Sequence, residues 1–326
     1  MGTPEFAVAP LKALVEGGYN IVAVVTMPDK PAGRGHHVQY SAVKEYALSV
    51  GLPVLQPEKL KDEAFVEELR SYQADLQIVV AFRMLPEVVW AMPRLGTFNL
   101  HASLLPQYRG AAPINWAVIN GDKETGVTTF MLKHEIDTGN IILQERIPID
   151  EDENVGSVHD RLMELGTDLV VRTVDLIEQS DKEGTPLTTT AQAEINAGDL
   201  RPAPKIFKET CEIDTTKTVA EVHNFVRGLS PYPAAWCNLT IGGTTYENVK
   251  VFATEKSHGP ITLQCADGEI SLTELQHPGK KRMPAKALLN GLREVYFRND
   301  RPHSGLPLGY HTVSLMRFRY SRKNIS

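Results

Sequence analysis

An asparagine and a histidine lie two residues apart, at positions 99 and 101, in an apolar stretch that predicts a buried strand. Alternate residues of a strand project from one face, so the side chains of Asn99 and His101 can act on the same atom. An asparagine amide can stabilise a developing oxyanion, and an imidazole can accept or donate a proton at neutral pH. Asp137 lies in a later loop that can reach the same strand end, and its carboxylate can orient the imidazole.

These three residues also have a purely structural interpretation. A histidine between a leucine and an alanine is often a hydrogen-bonded interior residue, and Asp137-Thr138-Gly139 is common turn chemistry. Residue types and spacing therefore leave catalysis and structure as alternatives for Asn99, His101 and Asp137.

The first half of the chain alternates between strand and helix patterns, which predicts a doubly wound, mainly parallel α/β sheet. Ligands bind such sheets beyond the carboxyl ends of the strands, where Asn99 and His101 fall. A helix that begins at residue 4 should follow a strand, so we expect the first strand to be missing from this sequence. The predicted strands cover 21–26, 76–81, 98–100, 125–132 and 140–147, and the predicted helices cover 4–16, 41–50, 62–72, 114–119 and 155–177.

A second, smaller domain is predicted after a linker. The catalytic domain would span 1–180, and the stretch 181–206 is rich in Thr, Pro and Gly and reads as a linker. Residues 207–296 follow, with a helix near 219–229 and short strands whose spacing predicts a small barrel, at 235–241, 250–254, 261–265 and 269–275. The tail 297–326 has no clear pattern and receives no assignment.

Charge and cysteine content favour a cytoplasmic protein with a polyanionic partner. The net charge of the 326 residues is −6, but residues 1–200 carry −13 and residues 201–326 carry +7. Clustered cations favour phosphate-rich partners, because binding releases condensed counterions. The three scattered cysteines argue against a disulfide framework, and no apolar run is long enough to span a membrane.

Several motifs together resemble the methionyl-tRNA formyltransferase family. They are Gly2-Thr3-Pro4-Glu5-Phe6, the stretch from Asn99 to Pro106 with Arg109-Gly110, and Asp137-Thr138-Gly139, in this order and at these separations. The resemblance, which covers about residues 1–296, implies a Rossmann-like catalytic domain and a carboxyl-terminal barrel resembling an OB fold. It implies catalysis by Asn99, His101 and Asp137, with 10-formyltetrahydrofolate as the formyl donor and no metal. It also places Ser103, Leu104, Leu105 and Pro106 along the tetrahydrofolate site.

The resemblance further implies initiator tRNA as the formyl acceptor and a monomer as the working form. Arg34 stands in a Pro-Ala-Gly-Arg-Gly loop similar to one with which the family approaches the acceptor stem, and Lys280, Lys281 and Arg282 form a candidate phosphate-contacting patch. Phe82 and Arg83 should line the folate pocket. Arg83 departs from the family pattern, which more often has a glycine there.

Three other functions stay open at this point. An amino sugar nucleotide formyltransferase would share the catalytic core but is expected to lack the loop around Arg34. A dinucleotide-binding oxidoreductase is compatible with the fold class, but Gly2-Thr3-Pro4 is not a G-x-G-x-x-G turn. A catalytically inactive RNA-binding protein would result if the missing first strand prevented the catalytic domain from folding.

Overall fold

The computed structural model describes residues 1–32 and 37–291, with the backbone alone at 30–32 and at 37–38. The chain divides into two compact units. Unit 1 comprises residues 1–117, 122–153 and 157–205. Unit 2 comprises residues 118–121, 154–156 and those from 206 onward.

Unit 1 contains the helices that the apolar periodicity predicts. The helix that begins after Pro4 ends at Gly17, and the next two have the side chains of Ser41 and Asp62 as amino-terminal caps. The prediction of these helices is confirmed, whereas α4 had no sequence signal. The helices are α1 Glu5–Glu16, α2 Ala42–Ser49, α3 Glu63–Ser71, α4 Glu87–Trp90, α5 Pro113–Ile119, which ends in unit 2, and α6 Val155–Glu183, which begins there.

The strands of unit 1 form one two-stranded and one four-stranded sheet, with a separate hairpin. In the larger sheet the order is β5-β6-β7-β8, with β5 and β6 parallel and the last two strands antiparallel. The parallel pair β1-β4 forms the smaller sheet, and β2 pairs with β3. The strands are β1 Val24–Val25, β2 Lys30–Ala32, β3 His37–Gln39, β4 Val54–Leu55, β5 Gln77–Val80, β6 Thr97–His101, β7 Glu124–Met131 and β8 Ile141–Pro148.

Met1 and Gly2 connect β1 to β5. The Gly2 amide donates to Val25 O at 3.0 Å, and the Val80 amide donates to Met1 O at 2.9 Å. These two residues therefore occupy, over their short length, the place of a strand between the two sheets. The predicted strand 21–26 is reduced to the two residues of β1, which pair with β4.

Helix α6 packs closely against β6 and thereby sets the faces of that strand. A Cβ atom at Gly166 would lie 2.8 Å from Leu100 Cδ2, so the glycine leaves room for the Leu100 side chain to pack directly against the helix. Leu100 therefore faces the helix. Its neighbours Asn99 and His101 project from the opposite face, as the sequence predicts.

In the part of unit 2 that the structure describes, one α-helix, α7, packs against five antiparallel strands. Helix α7 begins with a capping box, in which Thr218 and Glu221 each bond the other's backbone amide. The sheet order is β11-β12-β10-β9, with β13 beside β12, and irregular registers interrupt β10. A continuous apolar core lies between this sheet and α7. The elements are α7 Val219–Leu229, β9 Ala235–Ile241, β10 Thr244–Glu255, β11 Thr262–Gln264, β12 Glu269–Gln276 and β13 Met283–Pro284.

We predict that the cysteines of the folded protein resist alkylation. All three are buried and unpaired, and burial raises the pKa of Cys237 to about 12 and also raises the pKa values of Cys211 and Cys265. Because the thiolate is the reactive form, iodoacetamide at neutral pH should modify them only after denaturation, as mass spectrometry can show. Rapid labelling of Cys237 in the native protein would contradict this prediction.

Among the helices of the described residues, none is both long and apolar enough to cross a membrane.

Candidate active site

A cavity of about 700 Å³ lies in unit 1 at the carboxyl ends of β5 and β6. Asn99, His101 and Asp137 all line it, so the structure brings the three candidate catalytic residues together. Phe82 and Arg83 also line it. The remaining wall is largely apolar and includes Val79, Leu85, Trp90, Ala111, Pro113, Ile114 and Leu132.

The imidazole of His101 is buried and has a defined hydrogen-bonding direction. Its Nε2 atom lies 2.8 Å from the carbonyl oxygen of Tyr108. A carbonyl only accepts, so Nε2 carries the proton and donates. In the neutral ring Nδ1 is then unprotonated and available as a proton acceptor. Phe130, fully buried, meets the imidazole edge to face at a centroid distance of 6.4 Å and helps to fix its plane.

The carboxylate of Asp137 faces the accepting nitrogen of His101. Its Oδ2 atom lies 4.0 Å from His101 Nδ1, and both side chains are about nine-tenths buried. The same oxygen accepts a hydrogen bond from the Gly110 amide at 3.0 Å. A spacing of 4.0 Å exceeds a direct hydrogen bond, so it leaves a position where a water or a substrate amine can be bonded by both groups.

The side chain of Asn99 is half-buried on the cavity wall. Among the described residues, the Asn99 side-chain amide makes no hydrogen bond. It is therefore available to a ligand. As an amide it offers two N–H donors and one acceptor oxygen. A donor next to a proton acceptor is the arrangement that acyl transfer requires.

Tyr108 supports the site through its contact with His101, a role that the sequence did not indicate. It has a positive φ of 58°, and its hydroxyl donates to Asp122 Oδ2 at 2.7 Å. Arg201 pairs with the same carboxylate and lies over the tyrosine ring, 4.9 Å from its centroid. These contacts hold in place the carbonyl that accepts the hydrogen bond from His101 Nε2.

Arg83 braces a loop from the cavity wall. Its Nη1 and Nη2 atoms donate to the carbonyl oxygens of Glu58 and Pro57 at 2.8 and 2.7 Å. Its Nε atom is buried without a hydrogen-bond partner in the structure. Arg83 therefore connects the loop at 57–58 to the part of the cavity wall that also contains Phe82.

The stretch from Ser103 to Pro106 does not line the cavity. The Ser103 hydroxyl is fully buried and donates to Gln107 O at 2.7 Å, and Leu105 belongs to an apolar cluster with Phe130. Leu104 packs close to Gly126, and Pro106 is buried. Leu105 supports the site indirectly, because Phe130, against which it packs, lies against the His101 ring.

The three basic residues predicted to contact tRNA lie on an exposed turn of unit 2 between β12 and β13. Arg282 forms an ion pair with Glu274, with Nε–Oε1 and Nη2–Oε2 distances of 2.6 and 2.5 Å, and lies over the Phe252 ring. Lys280 and Lys281 are exposed. Arg34 lies outside the described residues.

Metal coordination has no candidate in residues 1–32 and 37–291. No group of three or more His, Cys, Asp or Glu side chains there is arranged to hold an ion.

Comparison with known proteins shows to which class of protein the chain belongs. Residues 1–174 match the formyl transferase family, and residues 205–293 match the formyl transferase C-terminal domain. The solved N-formyltransferase from Helicobacter canadensis, in complex with folinic acid and dTDP-3-aminofucose, has the same fold, with a TM-score of 0.59 at 20% identity. That similarity covers 83% of this chain and 97% of the other. The predicted fold class, a formyltransferase domain followed by an OB-like domain, is confirmed.

Curated relatives narrow the class to one family. The methionyl-tRNA formyltransferase of Bacteroides fragilis is 60% identical over 306 residues, which cover 89% of this chain and 93% of the relative. That of Phocaeicola vulgatus is 61% identical over 309 residues, covering 90% and 94%. The chain belongs to the methionyl-tRNA formyltransferase family, as its motifs predict.

Proposed function

We propose that this chain transfers the formyl group of 10-formyltetrahydrofolate to the α-amine of methionyl initiator tRNA. The observation that carries the proposal is the cavity in which the unprotonated Nδ1 of His101 faces Asp137 beside the amide of Asn99. Formyl transfer to an amine needs a proton acceptor for the nucleophile and a donor for the developing oxyanion. The high identity to curated methionyl-tRNA formyltransferases supports the choice of acceptor.

The cavity suits a formyl folate as the donor substrate. Its apolar walls, with the aromatic side chains of Phe82 and Trp90, match a flat heterocycle. Ala111 and Leu132 extend the apolar surface toward Asp137. We assign Phe82 and Arg83 to this binding wall, whereas Ser103, Leu104, Leu105 and Pro106 act through the backbone that they hold.

Asn99, His101 and Asp137 have different roles in the proposed reaction. The neutral amine attacks the formyl carbon and forms the new C–N bond, while negative charge develops on the formyl oxygen. The Asn99 amide donates to that oxygen. His101 Nδ1 takes the proton that the amine loses, directly or through a water shared with Asp137, and the resulting imidazolium is stabilised by the facing carboxylate. The oxyanion then re-forms the carbonyl as the old C–N bond breaks, the His101 imidazolium returns the proton to the departing folate nitrogen, and tetrahydrofolate is released.

We assign tRNA binding to unit 2 and to the loop around Arg34. Lys280 and Lys281 offer exposed cations on a turn, and contacts of this kind position a phosphate backbone without reading sequence. Arg282 already shares its charge with Glu274, so we expect it to contribute less. In this proposal residues 1–180 catalyse, 181–206 connect, and 207–296 bind tRNA.

A direct assay tests the acceptor. The purified chain is incubated with 10-formyltetrahydrofolate and either methionyl initiator tRNA or a nucleotide-linked amino sugar, and formylated products are identified by mass spectrometry. We expect formyl-methionyl-tRNA and no formylated sugar. Formylation of the sugar alone would replace the proposed function by the amino sugar nucleotide alternative.

A further inference from the structure

Gln192 is a buried side chain that the catalytic chemistry does not use. It is 4% exposed and lies in a short 3-10 turn, Gln192–Glu194, within the segment that the sequence identifies as a linker. A glutamine in a structureless connection would be solvated. Its burial therefore indicates that this part of the segment is fixed to unit 1.

All the hydrogen-bonding capacity of the Gln192 amide is used. Its Nε2 atom donates to the carbonyl oxygens of Asp137 and Gly139, both at 2.8 Å. Its Oε1 atom accepts from Nε and Nη2 of Arg109 at 3.1 and 2.6 Å. An amide has two donors and two acceptor sites, so its orientation is fully determined.

Gln192 is hydrogen-bonded to a short loop in which Asp137 has a left-handed backbone conformation. Asp137 has a φ of 53°, in the left-handed region, which a non-glycine residue adopts only at some cost. Gly139 presses so closely on β7 that a Cβ atom there would lie 1.5 Å from Met131 O. Two carbonyls of this short loop are fastened by one side chain, which restricts how far the carboxylate can move.

Arg109 fixes the oxygen of the Gln192 amide, opposite the loop that contains Asp137. Its neighbour Gly110 donates its amide to Asp137 Oδ2 at 3.0 Å, while the Arg109 guanidinium holds Gln192. Asp137 is thus bound through its carboxylate to Gly110 and through its backbone to Gln192. The Gly110 amide and the Arg109 guanidinium that bonds Gln192 belong to neighbouring residues of the chain.

We propose that Gln192 is a positioning residue that holds the Asp137 carboxylate at its place opposite His101. The inference rests on the proposed function for its kinetic consequence, but the positioning itself is a property of the folded protein. A displacement of about 1 Å at a reacting group can lower a rate about 10²-fold. Loss of the Gln192 amide should therefore lower kcat and leave the KM values for folate and tRNA near those of the wild type.

The test compares Gln192→Met, which keeps the side-chain volume, with a matched control, Gln77→Met. Gln77 is also buried, at 7% exposed, but accepts a hydrogen bond from Thr97 at the amino end of β5, away from the cavity. Activity is expressed per folinic-acid-binding site, so any unfolded fraction is excluded. We expect kcat to fall about 10²-fold only in Gln192→Met.

Amide hydrogen exchange provides a readout that needs no acceptor. In the wild type the Gly110 amide is bonded to the Asp137 carboxylate, and we expect it to exchange faster in Gln192→Met but not in Gln77→Met. Equal kcat in the two variants, or unchanged exchange at Gly110, would overturn the proposal. If the wild type fails to formylate methionyl-tRNA, the proposed function falls, and exchange at Gly110 alone decides the role of Gln192.

A second substitution, Gln192→Glu, tests the proposal if the Gln192→Met protein does not fold. Gln192→Glu keeps an acceptor for Arg109 but faces the carbonyls of Asp137 and Gly139 with oxygen instead of N–H. We expect the same fall in kcat and the same faster exchange at Gly110. Wild-type behaviour of a folded Gln192→Glu protein would show that the donated hydrogen bonds do not position the loop.

Discussion

Replacing His101 by alanine is expected to lower kcat for formyl transfer by about 10²- to 10⁴-fold, the usual contribution of a positioned proton acceptor. The substitution removes the Nδ1 atom that faces Asp137 at 4.0 Å, so the attacking amine loses the group that takes its proton. Binding should be affected less, because the apolar wall of the cavity is untouched. Single-turnover formylation of methionyl-tRNA at saturating folate measures this loss.

The control for this substitution is His258→Ala. His258 also faces a carboxylate, with a distance of 3.9 Å from its Nδ1 to Glu269 Oε2, but it is 95% exposed at the side chain and lies in unit 2. We expect its kcat to match the wild type. Equal activity of the His101 and His258 variants would remove His101 from the mechanism.

Replacing Asn99 by alanine is expected to lower kcat by about 10²- to 10³-fold, as for the loss of one oxyanion donor. The interaction is made mainly in the transition state, so kcat and kcat/KM should fall together. Asn99→Asp should be at least as impaired, because a carboxylate has no N–H donor and repels the developing negative charge. Steady-state kinetics with varied folate concentrations distinguishes this pattern from weaker binding.

Asn238→Ala is the matched control for Asn99. Asn238 also lies on a strand, β9, but its side-chain oxygen only accepts from the Asn248 amide in unit 2. We expect little change in kcat. A raised KM with an unchanged kcat in Asn99→Ala would assign Asn99 to substrate binding and not to the transition state.

Apolar periodicity predicted most of the regular elements, because those elements are stabilised by burial of one face. Helix α7 has the bounds predicted from residues 219–229, and its amino end has the local capping signal of Thr218 and Glu221. Strand β4 was missed because only Val54 and Leu55 pair. A two-residue strand has too little pattern to be recognised.

The site was predictable where it depends on strand alternation and not where it depends on polar tertiary contacts. Asn99 and His101 share a face because β6 is a strand, and this follows from the sequence. Gln192 lies 55 residues from Asp137, with which it bonds, in a stretch of low periodicity. The inward turn of Ser103 to Pro106 likewise depends on distant partners and was not foreseen.

The anchoring of the segment after α6 bears on how this protein can be divided. The formyl transferase match ends at residue 174, before Gln192 and before Ala203, which is fully buried and pairs with Gly110. A fragment cut at that match would keep Asn99, His101 and Asp137 while losing the contacts that fasten their loops. A division of this chain that keeps those contacts would therefore fall after residue 205, where unit 1 ends.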